Sequence, residues 1–337
     1  MNSGRTDTNS CIIIGAGMSG LIAARELQAA GWEVTVLDKG RSVGGRMATR
    51  RVGEGTFDHG AQFFTSRSDR FGQLVRGWLD AGVAEEWSRG FPDASGEPRE
   101  DGHPRYRGTE GMTSIPKHLA RGLDVRTGER VVQARIRSGQ WEAVCESGLR
   151  LKSATLLITA PVPQSLDILD AGEVELSEGT RKQLEDISYD PCLALLALVD
   201  REGLVPEPGG IQIKDEPLDW ISDNSRKGIS RTPALTIHAG PQWSRAHYDA
   251  DEKEIADALL AFAGERLGAD LAPRVRETSL ARWRYSWVTQ PHPEPCLLAR
   301  EEPRLLFAGD AFGQPKVEGA SLSGLASADT LLGRTRS

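Results

Sequence analysis

The chain has 337 residues, 39% hydrophobic and 26% charged, with a formal net charge of −7. That length buries a large core and fits two domains or one large α/β unit. The composition excludes disordered, fibrous and membrane classes, and the charge gives no electrostatic case for nucleic acid. No apolar run reaches the roughly eighteen residues of a transmembrane helix, and the polar lead MNSGRTDTNS makes a poor secretory leader. Cys11, Cys145, Cys192 and Cys296 lie far apart, without the paired spacing of metal or redox sites. They are expected as buried, reduced thiols in a cytoplasmic protein.

In chain order, CIII (11–14) reads as a buried strand, Met18 to about Ala30 as a helix with Leu21, Ala24 and Leu27 at helical spacing, and EVTVL (33–37) as a second strand. The stretch from Gly82 to Gly111, rich in Gly, Pro, Glu and Arg, reads as an exposed loop with little core of its own. MTSIPKHLA offers Thr113 or Ser114 as a helix cap, with Pro116 near the first turn. DVRTG, VVQARIRSG, WEAVCE and LRLKSATLLITAP follow as short strands with Gly and Ser turns. From about Val162 to Gln290, charged helices (EGTRKQLEDI, DEKEIADALLAFAGERL) alternate with strands (LALLALVD, ALTIHAG), the texture of a second domain. RLLFAGDAFG (304–313) then runs from an apolar strand into Gly and Asp. The small-residue helix GASLSGLASADTLL follows it and is expected to rejoin the first domain.

The first strand, turn and helix carry Gly15, Gly17 and Gly20. In a βαβ unit the first such glycine permits the tight turn, the second lets backbone N–H groups approach a pyrophosphate, and the third allows close helix–strand packing. Asp38 ends the next strand, where an acidic side chain accepts hydrogen bonds from a ribose. The expectation is a bound dinucleotide. Two further signals favour FAD over NAD. In GRSVGGRMATR, Gly44 and Gly45 admit close backbone approach and Arg46 is either a phosphate partner or a surface arginine. Gly309-Asp310 deliver a carboxylate at a strand end, and the helix entered at Gly319, Ala320 and Ser321 can aim its positive dipole end at a flavin C2 carbonyl.

The segments IIIGAGMSG, LDKGRSVGGRMATR, DHGAQFF, LLITAPVPQ and AGDAFG…EGASLSG resemble the FAD-dependent amine-oxidase-like superfamily, and within it the renalase family. The resemblance extends over nearly the whole chain, including ISDNSRKG, LTIHAG and RWRYSWVTQ. It implies a two-domain α/β flavoprotein, with a Rossmann-like FAD-binding domain over 9–65, 107–164 and 290–333. The substrate domain, of mixed sheet and helices, takes 66–106 and 165–289. It implies flavin contacts from Ser19, Arg46, Gln62 and Phe63, in a cofactor set completed by Gly15, Gly17, Gly20, Asp38, Lys39, Gly45, Val131, Gly309, Asp310, Ser321 and Leu322. Asp38 stands where many relatives have Glu, which shortens the reach to the ribose. No Cys or His adjoins the C-terminal flavin motif, so FAD is expected to be non-covalent.

For the substrate half, the candidates are Asn224, His238, Trp283 and Tyr285, with Trp287 on the same strand face. Each has a plain alternative: a strand histidine satisfied by packing, an asparagine forming a turn, alternating aromatics filling a core. No lysine stands out as the one that holds water near the flavin in amine oxidases; Lys316 is nearest and reads as loop. The resemblance implies oxidation of 2- and 6-dihydro isomers of NAD(P) to NAD(P)+, with O2 reduced to H2O2. Such a donor becomes aromatic on losing hydride and requires no strong base, so neutral groups such as Asn224 and His238 suffice. An amine, porphyrinogen or carotenoid-type oxidase, a flavin-binding protein without catalysis, and an NAD-dependent dehydrogenase stay open as alternatives. No metal and no membrane partner are expected.

Overall fold

The computed structural model describes residues 9–92 and 101–334. The polar lead of residues 1–8 and residues 93–100 of the Gly82–Gly111 stretch lie outside the described residues. Two compact units form, one from Met1–Gly45, Pro116–Ser188 and Val288–Ser337, the other from Arg46–Ile115 and Tyr189–Trp287. Residues 46–65 and 107–115 fall in the second unit because the hairpin of strands Thr49–Val52 and Gly55–Asp58 has its own core there. Val52 and Phe57 pack with Leu196, Leu198 and Ala234. Residues 165–188 belong to the first.

The first unit is built on a six-stranded sheet, in the order Leu297–Arg300, Arg304–Phe307, Thr155–Ile158, Ser10–Ile14, Glu33–Asp38, Asp124–Thr127. All neighbours are parallel except the edge strand Leu297–Arg300. Parallel strands covered on both faces need continuous apolar runs, and Cys11 through Ile14, Leu156 through Ile158 and Leu305 through Phe307 supply them, all buried. The helix Met18–Ala29 makes the crossover to Glu33–Asp38, with Ile13 in register with Val36 and Leu157. On it lies the last helix, Lys316–Leu332, at close range: a Cβ on Gly324 would sit 2.4 Å from the Ser19 carbonyl oxygen. An antiparallel sheet of Val131–Arg137, Gln140–Cys145 and Arg150–Ser153 completes the unit.

The second unit holds a five-stranded sheet in the order Gly210–Asp215, Leu218–Asp223, Ala234–Ala239, Ser188–Val199, Val275–Gln290. Alternation gives it two unlike faces. Leu193, Leu195, Ile211, Ile221, Leu235 and Ile237 form one buried core with Ile255, Leu259 and Leu260 of the helix Glu252–Leu267. That helix has the N-cap Asp251 and the left-handed C-cap Gly268. The opposite face carries Trp220, Ser222, Thr236 and His238, aligned by the registers Trp220–His238 and Ser222–Thr236.

The exposed loop read over Gly82–Gly111 is overturned. Ala84–Ser88 and Arg105–Gly108 pair as antiparallel strands, and Trp87 and Phe91 pack their rings with Phe63 and Trp220. The Gly and Pro content obscured two strands that pair with each other across that same stretch. The four cysteines are free and buried, as expected; burial pushes the Cys11 thiol up to about 12 and Cys145 to about 11. Among the described residues no helix is long and apolar enough to cross a membrane, and no group of His, Cys, Asp or Glu is arranged to hold a metal ion.

Candidate active site

In the first unit, the turn after the first strand has the geometry its glycines require. Gly15 has φ +113° and a Cβ there would lie 2.5 Å from Thr159 Oγ1, while a Cβ on Gly20 would lie 2.1 Å from the Gly15 carbonyl oxygen. Gly17 differs: its backbone is extended, at φ −82° and ψ −175°, and a Cβ would meet nothing within 4 Å. It is also the N-cap of a helix without a side-chain cap or an acidic residue in its first turn. The buried Ser19 Oγ on that turn has no hydrogen-bond partner among the described residues. Gly45 stands opposite, 3.8 Å from Gly17 Cα to its own would-be Cβ, held by the Gly44 N–H donating to the Ala16 carbonyl at 2.8 Å.

Asp38 closes the same turn. Its carboxylate accepts from the N–H groups of Ala16 at 2.7 Å and Gly40 at 2.6 Å. Burial raises its pKa and those two donors oppose the rise. The N–H groups of Gly128 and Glu129 reach the Gly40 and Asp38 carbonyls, which brings Val131, at the head of its strand, beside this loop. Lys39 donates to Gln164 Oε1 at 2.8 Å; burial and then Arg130 lower its pKa. At the C-terminal motif, the Gly309 N–H donates to Ser323 Oγ at 2.8 Å and Gly309 has φ +136°. The buried Ser321 donates back to the Val317 carbonyl, with Leu322 half-buried beside it. The helix starts at Lys316, exposed and at its first turn, so Gly319 to Ser321 lie inside it. Open space at Gly17, an uncapped helix end, an orphaned hydroxyl at Ser19 and a carboxylate beside them fit the pyrophosphate and ribose of a dinucleotide.

In the second unit the polar sheet face is covered by residues 58–63, and Asp58 is the hub. Fully buried, its Oδ2 takes the Lys227 ammonium at 2.7 Å, and its Oδ1 accepts from Met112 N–H at 2.8 Å and Thr49 Oγ1 at 2.6 Å. Lys227, also buried, donates to the Gln62 carbonyl at 2.6 Å and lies 4.8 Å from the Trp87 ring centre. Its burial lowers its pKa, and the Asp58 charge opposes this. Gln62 turns its amide inward, Nε2 to the Asp58 and Gly60 carbonyls and Oε1 to the Ser222 hydroxyl at 2.9 Å. Asn224 Nδ2 donates to the Ala234 carbonyl and to Thr236 Oγ1, and its Oδ1 accepts the Asp58 N–H. Arg46 donates to the Tyr285 and Ser286 carbonyls.

Three ring nitrogens near this face are left without partners among the described residues. His238 Nε2, His59 Nδ1 and Trp220 Nε1 are buried and unbonded. His59 stacks on Trp283 at 5.0 Å, and its carbonyl accepts from Trp283 Nε1 at 2.8 Å. The ring of His238 hydrogen-bonds the His59 backbone. Burial drives both imidazoles down to about 4, helped at His59 by Arg50 and at His238 by His59. Both are therefore neutral at physiological pH. Tyr285 meets Tyr189 edge-on, and Trp287 is 44% exposed, so the three alternating aromatics are no core stripe. Asp58, His59, Trp220 and Lys227 escaped the sequence reading. The signal for Asp58 was a carboxylate set among apolar residues in TFDHGAQFF; nothing local marked Lys227.

A family model for flavin containing amine oxidoreductases matches residues 93–332, more than half of the chain. The chain belongs to that family. It is an FAD-dependent oxidoreductase, and the cradle around Gly17, Ser19 and Asp38 is suited to that cofactor. A model for NAD(P)-binding Rossmann-like domains matches residues 13–78. Renalase of Mus musculus is 24% identical, over 93% of this chain and 96% of that protein. L-amino acid dehydrogenase of Synechocystis is 41% identical over 66 residues, 19% of this chain and 14% of the relative. Two solved structures share the fold: one from Exiguobacterium sp. 255-15, assigned as a protoporphyrinogen oxidase (TM-score 0.75, 13% identity, 97% of this chain, 99% of that one), and putrescine oxidase bound to putrescine (TM-score 0.73, 14% identity, 97% and 99%).

Proposed function

We propose that this flavoenzyme is an oxidase of the renalase type, converting 2- and 6-dihydro isomers of NAD(P) to NAD(P)+ with O2 as terminal acceptor, reduced to H2O2. Bound FAD supplies the two-electron acceptor. The observation that carries the reading is the absence of a strong base on the polar face of the second unit, among the described residues. Its two histidines are neutral and its carboxylate is saturated by Lys227, Met112 and Thr49. Its lysine is locked to that carboxylate, unlike a lysine free to hold a water.

A dihydropyridine suits such a site, because loss of hydride yields an aromatic ring with no proton to remove. In this reading His238 contacts the substrate, Trp283 and Tyr285 form an aromatic wall, and Asn224 and Gln62 fix the segment 58–63 on which Phe63 is presented. Glycines 15, 17, 20, 45 and 309 with Ser19, Asp38, Lys39, Arg46, Val131, Asp310, Ser321 and Leu322 hold the cofactor without a covalent bond. Full-length similarity to renalase supports the substrate class. Anaerobic mixing of the yellow protein with each purified dihydroNAD(P) isomer tests it, and bleaching by at least one is expected. Bleaching by amines and by neither isomer replaces the reading with amine oxidation.

A further inference from the structure

We propose that Trp220 and His238 form a donor–acceptor pair that reads a primary carboxamide; the ring bearing that carboxamide is the dihydropyridine of the proposed function. The two residues are directly opposite on adjacent antiparallel strands, Leu218–Asp223 and Ala234–Ala239. Opposed residues of such a pair project to the same face with Cβ atoms about 5 Å apart. Trp220 is 3% exposed and His238 8%, and Nε1 of the one and Nε2 of the other have no partner among the described residues.

Their polarities are opposite. An indole N–H only donates. In His238 the ring hydrogen bond to the His59 backbone raises its basicity, the behaviour of a ring N–H donating to a carbonyl. The neutral ring has one N–H, so with that proton committed Nε2 is left as a bare lone pair, a tautomer assigned from the hydrogen bond. A buried polar group without a partner costs about 1–3 kcal/mol, and here two neighbours of opposite sense remain. A primary carboxamide satisfies both, its carbonyl accepting from Trp220 and its NH2 donating to His238. A carboxylate sets a second acceptor against the lone pair, and a protonated amine, with no acceptor, leaves the indole unmatched.

The surroundings hold the pair in place. Phe63 and Phe91 pack on the indole with ring centres 5.6 and 4.9 Å away. The Asn224 amide, the other group able to read a carboxamide, has its NH2 bonded to Ala234 and Thr236.

Calorimetric titration of the FAD-loaded protein with nicotinamide, nicotinate and pyridine tests the pair without turnover. Nicotinamide is expected to bind about tenfold or more tighter than the other two, one hydrogen bond's worth. Trp220→Phe, which keeps the ring packing and removes the N–H, is expected to erase that advantage and leave pyridine unchanged. Equal affinity for nicotinamide and nicotinate in the unmodified protein, no binding of nicotinamide, or full nicotinamide affinity in Trp220→Phe each overturns the pair. Carboxamide preference without bleaching by any dihydropyridine defeats the proposed function and keeps the pair; bleaching without the preference does the reverse.

Discussion

The two units present polar groups in opposite ways. Around Gly17 in the first unit the site is made of backbone, and it is left open: a helix end without a cap, a hydroxyl without a partner, space where a side chain would be. On the polar sheet face of the second unit the site is made of side chains that satisfy one another, from Lys227 through Asp58 and Gln62 to Ser222, and from Asn224 to Thr236. Ring nitrogens of His59, Trp220 and His238 are left over there, among the described residues. A backbone site is sensitive to added volume, while its stability is indifferent to loss of an unpartnered hydroxyl; a side-chain network is sensitive to the loss of either partner.

The largest expected effect falls on the network. Lys227→Met leaves the Asp58 charge buried and alone, and should lower the unfolding free energy by about 3–5 kcal/mol. Adding Asp58→Asn should return most of that loss, as denaturant titration of the three proteins will read. A double variant no better than the single one would mean that the pair is not the element that holds residues 58–63. Gly17→Val probes the other region by filling the open space. Its backbone is compatible with any residue, so the melting temperature of the apoprotein should hold. Flavin affinity should fall by at least about a hundredfold, the worth of two charge-assisted hydrogen bonds; retention of colour through gel filtration would break the assignment of the cradle.

The histidines give a pH signature confined to the second unit. His59 and His238 are held at about 4 against an ordinary 6.5, so below about pH 6.5 the unfolded chain takes up protons that the fold refuses. Their contribution, up to about 3 kcal/mol for each ring, is fully present above that pH. It is lost progressively as pH falls towards 4. His238→Gln should flatten this slope in denaturant midpoints measured from pH 7 to 4; an unchanged slope would show that His238 is charged in the fold. The smallest effect separates holding a ligand from holding the fold. Ser19→Ala removes a hydroxyl with no partner, so stability should move by no more than about 0.5 kcal/mol, while flavin affinity drops about five- to tenfold. Unchanged affinity in a dilution series would remove Ser19 from the cofactor set.

The cradle was legible because its logic is local. Gly15, Gly17, Gly20 and Asp38 lie within one strand–helix–strand unit, and each requirement is imposed on a single position: a positive φ at Gly15, a close approach at Gly20, open space at Gly17. The polar face was legible only in fragments. His238 and Asn224 were found through their motifs, whereas Trp220 looked like one apolar strand residue among many. Lys227 looked like a surface charge after a turn. The paired strands Ala84–Ser88 and Arg105–Gly108 were hidden in a Gly- and Pro-rich stretch, since AEEWS and RYRG are short and charged and leave little hydrophobic period in the sequence.

By itself, then, the sequence determined the βαβ start, the dinucleotide turn, the flavoprotein class and the order of most strands and helices, because these follow from hydrophobic period and from glycines at set spacings. Only the tertiary structure decided that Asp58 and Lys227, 169 positions apart, meet as a buried ion pair. It alone set Trp220 opposite His238 on neighbouring strands, with the indole N–H and the imidazole Nε2 each without a partner among the described residues. Which charges lose their water, and which polar atoms go unmatched, depends on neighbours that are remote along the chain and adjacent only after folding.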